Sequence, residues 1–281
     1  MNFLGLSFLD AEAATVAERL AQRRDDATFA YLVTPNADHF VRLGRSPGLA
    51  TLYDRAEWRC LDSMAIAHVA RLVGLRPPAV ATGTDILAEI LDRHLCPGDR
   101  VTIIGLDPAG VAILRDRRPW VLVDHHQPPP RLSEDADAFA HAVCFAVAHP
   151  ARFTLLAVGS PVQERLAAAI QAMGGTGIGL CVGAALDFWT GLTPRAPCWC
   201  RRLGFEWLFR LSREPRRLGR RYLIDDWSVL WLLLVARWRD GGAAGGQLVP
   251  NPAVVVQDLH HHSATRESVS TMMRAAQQEK G

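Results

Sequence analysis

The sequence predicts an α/β fold: a Rossmann-like, mostly parallel sheet flanked by helices, followed by a C-terminal helical appendage. Three observations predict it. Short apolar runs rich in β-branched residues alternate with helix-like stretches. Polar clusters fall where those runs give way to helices, the place where open α/β sheets collect ligands. After Pro194 the composition changes to arginine and tryptophan.

Taken in order, strands are predicted at Phe29–Val33, Arg100–Leu106, Trp120–Asp124, Phe153–Val158 and Gly177–Val182. Helices are predicted at Ala37–Tyr53, Asp62–Val73, Asp85–Leu95, Ala109–Arg117, Glu134–Ala148 and Val162–Met173. The chain then divides into a Rossmann-like core over 1–197 and an Arg/Trp-rich helical appendage over 198–240. The glycines of 241–246 break the pattern, and 241–281 reads as a flexible tail. Within that tail His260–His262 is too short and isolated to read as a metal site.

With 281 residues, 49% of them hydrophobic, the chain can bury a substantial core. Its six cysteines form no C-x-x-C pair, so they read as reduced thiols of a cytosolic protein, not as a zinc ribbon or a disulfide framework. Met1–Asp10 lacks the basic start and cleavage-type site of a secretory signal. The longest apolar run, Trp227–Ala236, is about half the ~20 residues a membrane-crossing helix requires. Trp227, Trp231 and Trp238 share one side of a helix there, with Arg237 and Arg239 at its end. Such a helix can lie in a membrane interface, or pack in a core or between subunits.

Residues 201–221 hold eight arginines and two glutamates in a chain of net charge +2, so the segment carries +6 and the remainder −4. That asymmetry points to an anionic partner: phosphate, nucleic acid or an acidic membrane surface. Without a recognised RNA or DNA module, and with an acidic remainder, nucleic acid ranks lowest. Four polar clusters sit at strand-to-helix junctions: Thr34-Pro35-Asn36, Gly83-Thr84-Asp85, Gly105–Gly110 and Gly159–Glu164. Each also has an ordinary use as caps and turns. Gly105–Gly110 could cradle a phosphate, but it is not G-x-G-x-x-G and supports no dinucleotide cofactor.

These clusters acquire meaning in combination. Thr34-Pro35-Asn36, the Asp62 opening DSMAIAHVARLVG, TGTDIL from Thr82, VGSPVQE from Val158, VGAALDFWTGLTPRAP from Val182 and GFEWLFRLSREPRRLGRRY from Gly204 occur in that order. Together they resemble the WecG/TagA/CpsF glycosyltransferase family over about residues 28–222. The resemblance implies inverting transfer of a sugar from a nucleotide-sugar donor to a polyprenyl-diphosphate-linked acceptor, in surface polysaccharide or cell-wall polymer synthesis. It also implies a peripheral protein on the cytoplasmic face of the bacterial inner membrane, an appendage that meets the anionic membrane surface, and transfer without a metal ion. A homo-oligomer stays open. A non-catalytic membrane-associated assembly protein that keeps the fold is the competing reading.

By resemblance Asp62 is the catalytic base, while read as a residue alone it is an N-cap of the helix that follows. Thr34 and Asn36 would position sugar hydroxyls, Thr84 and Asp85 would form the acceptor-side turn, and Gln163 would reach a sugar. Asp85 has the alternative of capping its helix, and Glu164 reads as structural. Arg210, Arg217, Arg220 and Arg221 suit diphosphate and head-group contacts, because guanidinium groups form bidentate bonds to phosphate oxygens; a solvated face paired with Glu206 and Glu214 is the alternative. Asp187 and Arg195 are expected to form a structural pair, and His125-His126 to lie in a loop. Three places depart from the family pattern and bear on which sugar and acceptor are used: Ser63 instead of glycine, Val80 instead of arginine, and the loop Asp124–Pro130.

Overall fold

The computed structural model describes residues 1–213 together with 233, 234 and 237. The chain opens with a hairpin of β1 (Asn2–Phe3) and β2 (Leu6–Ser7), then α1 (Ala13–Ala21), β3 (Ala30–Val33), α2 (Ala37–Arg45), α3 (Pro47–Arg55) and β4 (Trp58–Arg59). It continues through α4 (Met64–Leu72) and α5 (Gly83–Glu89), which runs into a single π-turn at Ile90–His94, to β5 (Arg100–Gly105) and α6 (Pro108–Arg117). Next come β6 (Leu122–His126), α7 (Ala136–Ala148), β7 (Phe153–Ala157), α8 (Val162–Ala172), β8 (Ile178–Cys181), α9 (Ala185–Thr190), α10 (Cys198–Arg202) and α11 (Glu206–Arg213).

Six strands form one sheet in the order β4-β3-β8-β7-β5-β6, and every pairing in it is parallel. The central strands read as continuous apolar runs because a parallel sheet is covered on both faces. Side chains alternate between those faces. Tyr31, Val33, Ile104, Leu156 and Cys181 join α2, α3, α4, α7 and α8 in one core. Leu32, Val101, Ile103, Phe153, Leu155, Ile178 and Leu180 join α1, α5, α6 and α9 in the other. The result is a helix–sheet–helix sandwich of the Rossmann-like class.

Four expectations are corrected. The helix foreseen over Ala37–Tyr53 is two helices, because Pro47 cannot continue α2 and Ser46 caps α3 through Leu49 N. The strand foreseen at Trp120–Asp124 is β6, which starts later and includes His125 and His126, so that pair lies in an edge strand and not in a loop. The helix foreseen from Asp62 starts at Met64, and the one foreseen from Asp85 starts at Gly83. Both shifts bear on the chemistry below. The short hairpin β1–β2, α1, β4 and α9 were not foreseen. The hairpin places Phe3 and Phe8 against Phe40 at ring distances of 6.4 and 6.1 Å, closing one face of the sheet.

Of the appendage, α10 and α11 are described, and Leu233 is buried in the same core as α2–α4. Among the described residues no helix is long and apolar enough to cross a membrane. Arg217, Arg220 and Arg221 and the tail over 241–281 lie outside the described residues.

Candidate active site

The polar clusters follow the carboxyl ends of neighbouring strands. Asp62 follows β4, Thr34–Asn36 follow β3, Gly183 follows β8, and Ser160–Gln163 follow β7, so four adjacent loops line one edge of the sheet. At about 4.8 Å per strand, the row from the Asp62 loop to the Gln163 loop spans about 14 Å. This is where an open α/β sheet holds its ligand.

Asp62 is not the N-cap of α4. Ser63 is the N-cap of α4, its hydroxyl accepting from Ile66 N at 3.2 Å. The backbone N–H of Asp62 donates to Pro35 O at 3.0 Å, which ties the loops after β3 and β4 together. Its carboxylate Oδ2 instead accepts from Gly83 N at 3.1 Å. Thr34 completes this group. A Cβ placed on Gly83 would lie 2.9 Å from Thr34 Oγ1 and 3.6 Å from Asp62 Oδ2, so the glycine lets a hydroxyl and a carboxylate meet over one peptide. Thr34 is buried and Asp62 half-buried.

The turn beyond Gly83 holds the charges. Thr82 is the N-cap of α5: its Oγ1 accepts from Asp85 N at 3.1 Å and donates to Asp85 Oδ2 at 2.7 Å. Asp85 therefore does not cap the helix. Its Oδ1 accepts from Arg195 Nη1 at 2.7 Å and faces Arg201 Nη1 at 3.4 Å. Burial would raise this carboxyl, but hydrogen bonds from Arg195 and Thr82 and the charges of Arg195 and Arg201 outweigh it and hold it below the usual value. Thr84 is buried in the first turn of α5. The expected pair of Asp187 with Arg195 is overturned by this geometry: Arg195 belongs to Asp85. Burial, with Asp107 nearby, raises the Asp187 carboxyl.

Asn36 and Gln163 act within the fold. Asn36 caps α2 in a reciprocal box with His39, its Oδ1 accepting from His39 N at 3.4 Å and its own N–H meeting His39 Nδ1 at 3.2 Å. Gln163 is buried, with Oε1 accepting from Gly183 N at 2.9 Å and Nε2 donating to Glu164 Oε1 at 3.1 Å. It thus ties the loop after β7 to the loop after β8. Glu164 is fully buried under Tyr53, whose hydroxyl donates to Oε1 at 3.2 Å. Burial pushes its carboxyl up, and the Gln163 and Tyr53 hydrogen bonds offset only part of that. The Ser160 hydroxyl is close enough to polarise this carboxyl, yet neither Ser160 Oγ nor Glu164 Oε2 meets hydrogen-bond geometry with any partner.

One further expectation changes. The Gly105–Gly110 turn is not open to a phosphate in the way foreseen, because the Asp107 carboxylate occupies the start of α6 through Ala109 N at 2.8 Å. His125 bonds to Gly105 O at 2.9 Å, and the His126 ring packs at a tilt against His141 and Phe145. Burial, then His141 and His125, push the His126 imidazole below its usual value. Among the described residues there is no group of three or more His, Cys, Asp or Glu side chains placed to hold a metal. Arg210 falls in α11. The sequence signal for Thr82 was present as the T-x-x-D start of a capped helix; Ser63 and Arg201 had no local signal that distinguished them.

A carboxylate held by a backbone N–H, a hydroxyl beside it and a cationic turn next to both lie together on the ligand edge of a parallel sheet, where α/β enzymes bind their substrates. The model of the Glycosyl transferase WecG/TagA/CpsF family matches residues 1–242, and the chain belongs to that family.

Proposed function

We propose that the protein is an inverting glycosyltransferase that moves a sugar from a nucleotide-sugar donor to a polyprenyl-diphosphate-linked acceptor at the cytoplasmic face of a bacterial inner membrane. Asp62 takes the proton of the acceptor hydroxyl as that oxygen attacks the anomeric carbon from the face opposite the leaving diphosphate. Thr34 orients a hydroxyl of the sugar beside it, and Thr84 with the 82–85 turn shapes the acceptor side. Asn36 and Gln163 hold the loops that carry these groups. Guanidinium groups, with Arg210, Arg217, Arg220 and Arg221 among them, meet the diphosphates in place of a metal ion.

One observation supports this most directly. Ser63 caps α4, so the Asp62 carboxylate is left at the crevice edge beside Thr34, where it can serve as a base. The test is a panel of UDP- and GDP-sugars with a short prenyl-diphosphate-linked sugar, run with and without EDTA. A donor that turns over in EDTA, with Asp62→Asn about 10²–10⁴-fold slower at unchanged thermal stability, supports the proposal. Transfer that Asp62→Asn leaves at the wild-type rate would sink it, and no turnover with any donor favours the non-catalytic assembly reading.

A further inference from the structure

In the 82–85 turn, two cations share one anion. Arg195 Nη1 donates to Asp85 Oδ1 at 2.7 Å and Nη2 to Thr82 Oγ1 at 3.3 Å, while Arg201 reaches the same Oδ1 only at 3.4 Å. Asp85 pairs closely with Arg195 and only loosely with Arg201. Hydrogen bonding is incomplete. Of the five N–H donors that each guanidinium carries, Arg201 has a single long contact among the described residues, and the Nε of both arginines is buried with no partner among them. The outer nitrogens are not sealed in: the two side chains are 20% and 29% exposed.

These donors lie beside the candidate base. Thr82, which bonds Arg195, directly precedes Gly83, whose N–H is on Asp62. A second contact fixes the other end. Gly204 has φ +78°, and a Cβ there would lie 3.0 Å from Ala65 N, so the corner between α10 and α11 sits on the start of α4 just after Asp62 and Ser63. Arg201 is thereby carried to the site by packing, not by its own weak ion pair. Arg195 is held differently, by two hydrogen bonds to the turn.

We propose that Arg195 and Arg201 form a diphosphate clamp beside Asp62, with Asp85 preorganising Arg195 and Arg201 supplying guanidinium donors to the ligand. Two planar forks suit two linked phosphoryl groups, each able to take a pair of oxygens. A diphosphate bound there satisfies the donors that the protein leaves unpaired and disperses the negative charge that builds on a departing diphosphate. The inference rests on the glycosyl-transfer reading for its ligand, and that reading offers two sources of one chemistry: the nucleotide-sugar donor and the lipid-linked acceptor.

Calorimetry on the full chain with inorganic pyrophosphate tests it. Arg201→Ala leaves the Arg195–Asp85 pair in place and is expected to weaken pyrophosphate about tenfold or more, with Arg201→Lys intermediate. Arg24→Ala removes the same charge from an 81% exposed side chain paired with Asp26 and is expected to change nothing. Wild-type pyrophosphate affinity in Arg201→Ala, or an equal loss in Arg24→Ala, overturns the clamp. UDP and farnesyl diphosphate titrated into the same variants identify the source, since only the diphosphate held by the clamp loses affinity with Arg201. Turnover separates the two ideas. An inactive protein that still binds pyrophosphate through Arg201 loses the transferase reading and keeps the clamp, whereas an active Arg201→Ala protein with unchanged KM for both substrates does the reverse.

Discussion

A carboxylate at the start of a helix has two uses that compete: it can accept the first free N–H groups, or it can face solvent and take a proton. At α4 Ser63 takes the first use by accepting from Ile66 N itself, and Asp62 accepts instead from Gly83 N at the start of α5. The sequence left both uses open, because an aspartate just before an apolar helical run looks the same in either case, and only the exact start of α4 distinguishes them. Asp85 posed the same ambiguity, and Thr82 resolved it. Buried Glu164 is the other carboxyl whose setting decides its behaviour. Burial raises it above its ordinary value of 4.5, so the folded chain binds a proton that the unfolded chain releases. The sign follows: its contribution is fully present below the unfolded value and is lost as pH rises through the folded one. Glu164→Gln cannot ionise and keeps an acceptor for Tyr53 and Gln163. Its unfolding free energy should gain on wild type as pH rises from about 4 to about 8, by up to about 1.4 kcal/mol for each unit the carboxyl is raised, read from urea denaturation at each pH. A constant difference across that range would show that Glu164 ionises in the fold as freely as outside it.

Elements were legible in the sequence in proportion to their length. The five long strands each fill a run of four to six residues, enough to announce a buried parallel strand. By contrast β1, β2 and β4 have two residues each, too few for any alternation to register, and α9 has six. Helix breaks needed chemistry instead of periodicity: Ser46-Pro47 splits one apolar pattern into α2 and α3 without interrupting it. The α10–α11 corner could not be seen at all, since what fixes it is a contact between Gly204 and the backbone of residues 64 and 65 far away in sequence. That contact makes a prediction for the element. Gly204→Val places a β-branched residue at φ +78° with its Cβ 3.0 Å from Ala65 N, and should destabilise the corner by about 1–3 kcal/mol. The expected signature is faster proteolysis within residues 195–213 and loss of transfer, while the urea midpoint of the sheet core stays near wild type. Unchanged proteolysis and activity would mean that the corner does not depend on this close approach.

At the scale of the whole molecule, α10, α11 and their joint bring exposed apolar side chains together with arginines next to the site. Trp199, Leu203, Phe205 and Leu208 are all exposed on α10, α11 and their joint, among Arg201, Arg202 and Arg213. Because the corner rests on the residues after Asp62, this apolar and basic surface adjoins the carboxyl edge of the sheet. The remainder of the chain is net negative by four, so an anionic leaflet would attract the basic segment and repel the rest. A lipid-linked acceptor would then meet Asp62 without leaving the membrane surface. Cosedimentation with vesicles containing anionic lipid checks this. Each arginine near such a surface contributes about 1 kcal/mol, so replacing Arg217, Arg220 and Arg221 together by serine should weaken binding about a hundredfold, as should raising the salt. Truncation after Pro197 is a less discriminating probe, since it removes Arg201, the Gly204 contact and the buried Leu233 as well. The triple substitution leaves all of these in place. Vesicle binding that it does not alter, or that proves insensitive to salt, would assign the arginines a role inside the protein or on a soluble ligand and leave the acceptor to reach Asp62 by another route.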